Sequence, residues 1–287
     1  MIEMNPQNKD VICLHYDITL ACNNRCSYCY CLNELDNTKL FNKNTFEEVI
    51  DAVNSIDKEH YSVELDFLGG EPLLVTNHIR EFIQRTELNS YSISSNINFN
   101  PNSIYMKNIL TLLETANCKI LASWHQSSNQ IYFKENLLKL KDYVVATLLI
   151  SDNIDEVHNQ MLFVKEHNIP YDVEIIYTNE IYDVDTTNIK FLEIIQGARN
   201  NLINVVDNKK YNMLETLEKD LLNISSYYHT ICQLSQIKID YYGNINLICN
   251  NPIQLGHIKD GIKIKDLYCK DYNCRCVTKS YKRLLLK

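Results

Sequence analysis

The chain has 287 residues, 45% of them hydrophobic, which is enough to bury the core of one large domain with a small appendage. Lys and Arg total 28 against 36 Asp and Glu, and the net charge of -8 argues against nucleic acid as the main partner. The N-terminus lacks a signal-peptide pattern, and no apolar run reaches the roughly 18 residues of a membrane span, so we expect a cytoplasmic protein with no membrane partner.

Most of the first 180 residues alternate short β-rich runs with longer amphipathic segments. The strand candidates are 13–20, 62–69, 90–96, 119–125, 143–150 and 171–177, and the helix candidates between them include 44–56, 103–116 and 153–168. Six such repeats with right-handed crossovers predict a parallel sheet, either open and doubly wound or curled into an incomplete barrel. In both architectures ligands bind at the carboxyl ends of the strands.

The pattern changes after residue 180. Two helical segments, about 187–206 and 211–224, precede the run 237–249, which predicts a hairpin turning at Gly243, and residues 261–268 resemble a short helix. The predicted division of the chain is a barrel of residues 1–180, a helical connection of residues 181–230 and a cysteine-rich extension of residues 231–287.

Eleven cysteines are unusual for a reducing compartment, where disulfides do not persist. Metal ligation explains them better, because all but Cys13 and Cys118 fall into two groups. The first group is Cys22, Cys26, Cys29 and Cys31, and the second is Cys232, Cys249, Cys269, Cys274 and Cys276. Two separate metal sites are therefore expected.

Three cysteines of the first group have the spacing Cx3Cx2C directly after the first strand candidate. Three thiolates on one tight loop can ligate three irons of a cubane iron–sulfur cluster and leave the fourth iron open to a chelating small molecule. Two alternatives remain at this point: a zinc-binding turn completed by Cys31 or His15, and buried thiols without a ligand.

A second motif, "DFLGGEP", ends the second strand candidate in a chain that has only six glycines. The adjacent Gly69 and Gly70 predict a close approach of the backbone to a ligand, and Glu71 could accept a hydrogen bond from an ammonium group. Taken alone, the stretch would be no more than a turn that ends a strand.

Cx3Cx2C with Tyr28 in its aromatic slot, followed by Gly-Gly-Glu-Pro, resembles the radical S-adenosylmethionine (radical SAM) enzyme superfamily. The resemblance implies an incomplete (β/α)6 barrel and a 4Fe-4S cluster on Cys22, Cys26 and Cys29, whose open iron is chelated by S-adenosylmethionine. The cofactor-binding residues that it implies are Tyr28, bordering the adenine, the turn of Gly69, Gly70, Glu71 and Pro72, with its first three residues at the methionyl amine, and Ser94, Ser95 and Asn96, near the ribose or carboxylate.

The resemblance also implies the chemistry. An electron from the reduced cluster, supplied by a partner such as flavodoxin or ferredoxin, cleaves S-adenosylmethionine to a 5'-deoxyadenosyl radical that removes a hydrogen atom from the substrate. The expected substrate is a peptide or a small metabolite. A non-enzymatic iron–sulfur or zinc protein that senses redox state is the alternative, but it would have no need of a methionine-binding turn.

The second cysteine group, together with the hairpin, resembles the twitch or SPASM extension of radical SAM enzymes, which implies one auxiliary 4Fe-4S cluster. Five cysteines exceed the four that a closed site needs, and structural zinc fits four cysteines equally well. The spacing Cx4CxC is shorter than the family's cysteine series, so a second auxiliary cluster is not expected.

His125, in "ASWHQS" at the end of the fourth strand candidate, is the candidate catalytic residue, because it would face the mouth of the barrel. It could transfer a proton or hold a polar substrate, and a histidine satisfied by a backbone carbonyl is the alternative. Cys31 is interpreted as a bystander to the cluster.

Overall fold

The computed structural model describes residues 10–29, 31–150, 153–175, 188–202, 231–232, 236–247, 254–262 and 267–268. Six strands and six helices alternate between residues 10 and 202. The strands are β1 (Asp10–Thr19), β2 (Tyr61–Gly69), β3 (Ser90–Ser95), β4 (Cys118–Trp124), β5 (Val144–Ile150) and β6 (Tyr171–Ile175). The helices are α1 (Lys43–Asn54), α2 (Thr76–Arg85), α3 (Ile104–Thr115), α4 (Gln130–Lys139), α5 (Ile154–Glu166) and α6 (Ile189–Leu202).

The six strands lie in chain order and pair in parallel, so each of the helices α1 to α5 crosses over between neighbouring strands. In the described part of the chain, β6 lies at one edge of the sheet and does not pair with the strand at the other edge, so the sheet is an open, partial barrel, as predicted. Each of the six predicted strands overlaps one observed strand.

Four of the helices begin at a side chain that caps the first turn. Asn42, Ser103, Asn129 and Asn153 each accept a hydrogen bond from a backbone amide of the helix that follows. Such caps satisfy amides that have no partner inside the helix. The caps therefore fix where α1, α3, α4 and α5 start, and for α1, α3 and α5 these starts are close to the predicted boundaries.

The C-terminal part adds three strands to the same sheet: β8 (Gln236–Ile239), β9 (Asn244–Leu247) and β10 (Gln254–His257). β8 pairs in parallel with β1, and β8 and β9 form the predicted antiparallel hairpin, which turns over residues 240–243. A buried ion pair supports the junction, since Lys238 Nζ lies 2.8 Å from Asp17 Oδ2. The hairpin therefore continues the barrel sheet.

Two short strands, β7 (Ile231–Cys232) and β11 (Leu267–Tyr268), form a separate antiparallel pair. The helical prediction is wrong for residues 267–268, because their backbone is extended to pair with β7. The predicted helical segment 211–224 lies outside the described residues.

The two faces of the six-stranded sheet differ in chemistry. One face packs its aliphatic and aromatic side chains against the helices, as the contact between Phe67 on β2 and Phe82 on α2 illustrates, with ring centroids 5.3 Å apart. The other, concave face carries polar side chains, among them His15, Asp66 and Ser94. The core therefore lies between sheet and helices, and the concave face is left for a ligand.

Among the described residues, the helices are too short or too polar to span a bilayer.

Candidate functional site

The predicted cluster ligands lie on the loop that follows β1, at the carboxyl edge of the sheet. Cys22 and Cys26 are buried, Cys29 is half-buried, and all three are free thiols. Arg25 fastens the loop by donating to the carbonyl oxygens of Cys22 and Asn24, both at 2.8 Å. The loop thus presents three thiols at the edge where ligands of parallel α/β sheets bind.

Each of the three sulfurs has a different polar neighbour. The amide of Asn24 donates to Cys22 Sγ at 3.4 Å, Ser127 Oγ lies 3.1 Å from Cys26 Sγ, and Cys31 Sγ lies 3.4 Å from Cys29 Sγ.

These neighbours act on the acidity of the thiols. The hydrogen bond from the Cys31 thiol lowers the pKa of Cys29 to about 6, whereas burial raises the pKa of Cys22 to about 11. Burial also raises the pKa of Cys26, against hydrogen bonds with Ser127 and Tyr28 that lower it. The Cys31 thiol therefore favours the thiolate form of a predicted ligand, and its interpretation as a bystander to the cluster stays a prediction.

Three free thiols on one loop fit an iron–sulfur cluster by their chemistry. A cubane cluster binds each thiolate at a different iron, so its ligands need not converge on one point. Within the described part of the chain, no three His, Cys, Asp or Glu side chains are arranged to hold a single metal ion.

The cysteine loop is held in place by residues that the sequence analysis missed. Asn23 donates to the carbonyl of Asn98 at 2.8 Å and accepts from the amide side chain of Asn96 at 2.9 Å, after β3. Asn24 donates to Ser128 Oγ at 3.2 Å, after β4. The only signal in the sequence is that these polar residues follow strand candidates, which is also true of ordinary loops.

Gly69 and Gly70 are required by a close contact with the chain itself. A Cβ atom on either residue would lie 2.2 Å from a backbone oxygen, that of Thr19 for Gly69 and that of Ala21 for Gly70. The amides of Gly70 and Glu71 donate to the same two oxygens, each at 2.8 Å. The expected close approach exists, but its partner is the start of the cysteine loop, so the glycines lock the two motifs together without any ligand.

Glu71 is fully buried and accepts three hydrogen bonds. The donors are the amide of Leu73 at 3.0 Å, the hydroxyl of Ser95 at 2.8 Å and the amide of Asn96 at 2.9 Å. Burial raises the pKa of Glu71 to about 7, although these hydrogen bonds oppose the rise. Buried Pro72 begins the short 3-10 helix Pro72–Val75. Glu71 therefore joins the end of β2 to the end of β3.

The three predicted residues that end β3 and follow it have different surroundings. The hydroxyl of Ser95 is directed to buried Glu71, whereas Ser94 donates to Asp66 Oδ2 at 2.8 Å on the concave face. Asn96 bonds Asn23 and precedes Ile97, whose φ of 40° is rare for a β-branched residue. Backbone strain of this kind is common where a loop shapes a binding site.

His125 lies at the end of β4 against the cysteine loop. Its Nδ1 is 2.8 Å from the hydroxyl of Tyr28, and the two rings stack with centroids 5.9 Å apart. Burial lowers the pKa of His125 to about 4, so the imidazole is neutral near pH 7. The structure thus brings the candidate catalytic residue and the aromatic residue of the cysteine motif together.

The concave face below this edge is acidic. Asp66 on β2 accepts hydrogen bonds from two serines of β3 and lies 3.7 Å from His15 Nδ1 on β1. Glu174 on β6 still reaches solvent, but enclosure by the curved sheet, followed by the charges of Asp172 and Asp66, raises its pKa to about 7.

Of the predicted ligands in the tail, only the backbone of Cys232 is described, within β7. Cys249, Cys269, Cys274 and Cys276 lie outside the described residues. The auxiliary site therefore stays a prediction.

The fold and the site define the class of this protein: an open, partial α/β barrel with a loop of three free thiols at the carboxyl edge of its parallel strands. The model of the Radical SAM superfamily matches residues 16–170, which is more than half of the 287 residues. The chain belongs to the Radical SAM superfamily, and membership implies a 4Fe-4S cluster and S-adenosylmethionine as its cofactors.

Two solved structures share the fold. One, a histidine-tagged form of anSMEcpe with bound AdoMet, has a TM-score of 0.60 and 14% sequence identity, over 88% of this chain and 78% of that chain. Another, "Native anSMEcpe with bound AdoMet and Cp18Cys peptide", has a TM-score of 0.59 and the same identity and coverage. AdoMet is S-adenosylmethionine. No curated protein matches this sequence.

Proposed function

We propose that this chain is an enzyme that reductively cleaves S-adenosylmethionine to a 5'-deoxyadenosyl radical and removes a hydrogen atom from a peptide or a small metabolite. The observation that carries the proposal is the pair of backbone hydrogen bonds that connects the Gly-Gly-Glu-Pro turn to the start of the cysteine loop. The amides of Gly70 and Glu71 are bonded to the carbonyls of Thr19 and Ala21, directly before the first cysteine of Cx3Cx2C. A site for a cluster and a site for its chelating ligand would then be held at a constant separation.

The cluster would be held by Cys22, Cys26 and Cys29, and S-adenosylmethionine would chelate the iron that has no protein ligand. Held there and reduced, the cluster would supply the one electron that reductive cleavage of the sulfonium carbon–sulfur bond to methionine and a 5'-deoxyadenosyl radical requires. The electron would come from a flavodoxin or a ferredoxin.

The residues around the cluster would position S-adenosylmethionine. The backbone of Gly69, Gly70 and Glu71 would contact the methionyl amine, with Pro72 supporting the turn, and the backbone at Tyr28 would border the adenine. For Glu71 the contact would be made mainly by the backbone. Its carboxylate already accepts three internal hydrogen bonds and so has less capacity to bind the amine.

The end of β3 would complete the nucleoside site. All three side chains already have an internal hydrogen-bond partner, which is Asp66 for Ser94, Glu71 for Ser95 and Asn23 for Asn96. Ser94 is the best placed to contact the ribose or the carboxylate, because it lies on the concave face, whereas Ser95 and Asn96 are buried.

The substrate would enter the concave face. His125, a neutral imidazole at its rim, would hold a polar group of the substrate, or exchange a proton with it through hydrogen bonds. A peptide substrate is consistent with the fold shared with a structure that contains AdoMet and a peptide, and a small metabolite is the other substrate class proposed.

The experiment is anaerobic reconstitution with iron and sulfide, reduction with dithionite, and assay for 5'-deoxyadenosine. We expect about four irons per chain at the Cx3Cx2C site and 5'-deoxyadenosine that depends on added S-adenosylmethionine. Cys22→Ala, Cys26→Ala and Cys29→Ala should each abolish the product. Cys118→Ala is the matched control, because Cys118 is a buried free thiol at the start of β4, and it should retain the activity.

A wild-type protein that binds a full cluster but releases no 5'-deoxyadenosine, with or without candidate substrates, would contradict the enzyme proposal. It would favour the alternative of a redox-sensing iron–sulfur protein. Zinc in place of iron in all preparations would favour a zinc protein.

The tail is proposed to hold one auxiliary 4Fe-4S cluster on four of Cys232, Cys249, Cys269, Cys274 and Cys276. Iron analysis of the triple variant Cys22→Ala/Cys26→Ala/Cys29→Ala tests this directly. A residual content of about four irons supports the auxiliary cluster, whereas stoichiometric zinc without iron contradicts it.

A further inference from the structure

Ser127 lies on the loop between β4 and α4, and its hydroxyl oxygen is 3.1 Å from the sulfur of Cys26. The two residues are 101 positions apart in the chain, so the contact results from folding of the barrel and not from the cysteine motif. No motif in the sequence singles out Ser127.

The direction of this hydrogen bond follows once Cys26 ligates iron. A ligated cysteine is a thiolate and carries no hydrogen, so the Ser127 hydroxyl must donate. The other two predicted ligands have different neighbours: a backbone amide and the more distant side-chain amide of Asn96 at Cys22, and the Cys31 thiol at Cys29. In the described part of the chain, Ser127 is the hydroxyl that reaches a ligand sulfur from outside the cysteine loop.

The loop that carries Ser127 is held in place by hydrogen bonds that do not involve Ser127 itself. Gln130 donates to the carbonyls of His125 and Ser128, both at 3.1 Å, and the Ser128 hydroxyl accepts from Asn24. These bonds hold the backbone on both sides of Ser127 while its side chain stays partly in solvent. The hydroxyl is thus presented to Cys26 by a loop that stays anchored when Ser127 itself is replaced.

We propose that Ser127 is a positioning residue that donates a hydrogen bond to the cluster-ligating sulfur of Cys26 and thereby raises the reduction potential of the cluster. The physical reason is that reduction adds negative charge to the cluster and its sulfurs, which a hydrogen-bond donor stabilises more in the reduced than in the oxidised state. The inference rests on the proposed function, because it requires a cluster on Cys22, Cys26 and Cys29.

The test is a redox titration of the reconstituted full chain followed by electron paramagnetic resonance. Signals are recorded with and without S-adenosylmethionine, since only a cluster with an open iron responds to this ligand. The variants are Ser127→Ala, the isosteric pair Ser127→Thr and Ser127→Val, which differ in the hydroxyl alone, and the control Ser55→Ala, whose hydroxyl contacts the carbonyl of Ala52 at the end of α1 and no sulfur.

Ser127→Ala and Ser127→Val should shift the midpoint to more negative potential. At the wild-type midpoint, the ratio of reduced to oxidised cluster should fall about threefold, which corresponds to about 30 mV for a one-electron couple. Ser127→Thr and Ser55→Ala should keep the wild-type midpoint. If neither hydroxyl-free variant retains iron while Ser127→Thr does, the hydroxyl is required at Cys26, which also supports the proposal.

Two results would overturn the inference alone: wild-type midpoints in cluster-loaded Ser127→Ala and Ser127→Val, or an equal shift in Ser55→Ala. A wild-type chain that binds no cluster, or whose cluster does not respond to S-adenosylmethionine, would instead overturn the proposed function, and the inference with it.

Discussion

The two faces of the barrel sheet are formed by the same strands but carry different kinds of side chain, apolar on one face and polar on the other. On β2, Val63, Leu65 and Phe67 are buried against the helices, while Glu64 and Asp66 between them lie on the concave face. Parallel strands that are covered on both faces consist of nearly continuous apolar residues. Alternation of apolar and polar residues along a parallel strand therefore indicates that only one face of the sheet packs against other elements, which leaves the other face free to bind a ligand.

The two faces also differ in the interactions that their side chains make. The helix face is held by apolar contacts, whereas on the concave face Asp66 accepts from Ser92 and Ser94 and lies close to His15. Burial of apolar area stabilises the fold in proportion to the area removed from water, whereas hydrogen bonds near solvent contribute little net free energy. We thus expect the helix face to determine stability and the concave face to tolerate change.

The largest effect is expected for Phe67→Ala, which removes a fully buried ring in contact with Phe82. It should lower the free energy of unfolding by about 3–5 kcal/mol. Its neighbour Leu68 points to the other face and is half-buried, so Leu68→Ala should cost clearly less. Urea unfolding of both apoproteins, followed by circular dichroism, measures the difference, and equal costs would refute the comparison of the faces.

The next effect concerns the rim, where Glu71 is buried. Because its pKa is raised from 4.5 to about 7, the native state holds this proton more tightly than the unfolded state does. The stability that this provides is complete below pH 4.5 and is lost as the pH rises through 7, by about 3 kcal/mol. Wild type should therefore lose that much stability relative to Glu71→Gln over this range.

Denaturant unfolding at several pH values measures this loss. Glu87→Gln, on the exposed surface, is the control and should follow the wild-type pH dependence. A Glu71→Gln profile parallel to that of wild type would show that Glu71 does not titrate in this range.

A smaller effect is expected on the concave face. The hydrogen bond between Ser94 and Asp66, 2.8 Å long, should give a coupling free energy of about 1 kcal/mol in the double-mutant cycle of Asp66→Ala and Ser94→Ala. Each single variant should destabilise the protein less than Phe67→Ala. Coupling of several kcal/mol would mean that the concave face is a structural core in its own right.

The smallest effect concerns His125, whose imidazole is expected not to titrate near neutral pH. Burial lowers the pKa of His125 to about 4, so its imidazole should stay neutral between pH 5 and pH 8. Nuclear magnetic resonance of the histidine side chains in the apoprotein measures this, with exposed His60 as the comparison signal. A midpoint for His125 near pH 6.5 would show that the rim of the concave face is more open to water than its packing indicates.

Much of the fold could be predicted because its signals are local. Strand candidates such as 90–96 and 119–125 agree with β3 and β4 to within one residue, since their alternating pattern is written into consecutive positions. The cysteine spacing and the Gly-Gly-Glu-Pro turn are local in the same sense. They were sufficient to predict the superfamily, which the match over residues 16–170 confirms.

The hydrogen bonds that connect the residues of the site could not be predicted from local sequence patterns. Ser127, Asn24 and Ser128 look like ordinary loop residues, and their partners lie 101 and 104 positions away. The parallel pairing of β8 with β1 is equally invisible in the sequence, because a hairpin specifies its own register but not the strand beside it.

The sequence by itself thus determined which residues form the six strands β1 to β6, which thiols share a loop and which superfamily the chain belongs to. Only the tertiary structure decided that the glycines of the second motif are needed against Thr19 and Ala21, that Glu71 is engaged internally, and that each ligand sulfur has its own neighbour. The physical reason is that periodicity and spacing act between adjacent residues, whereas a hydrogen-bond partner is set by how the sheet curves and which strand ends meet at its edge.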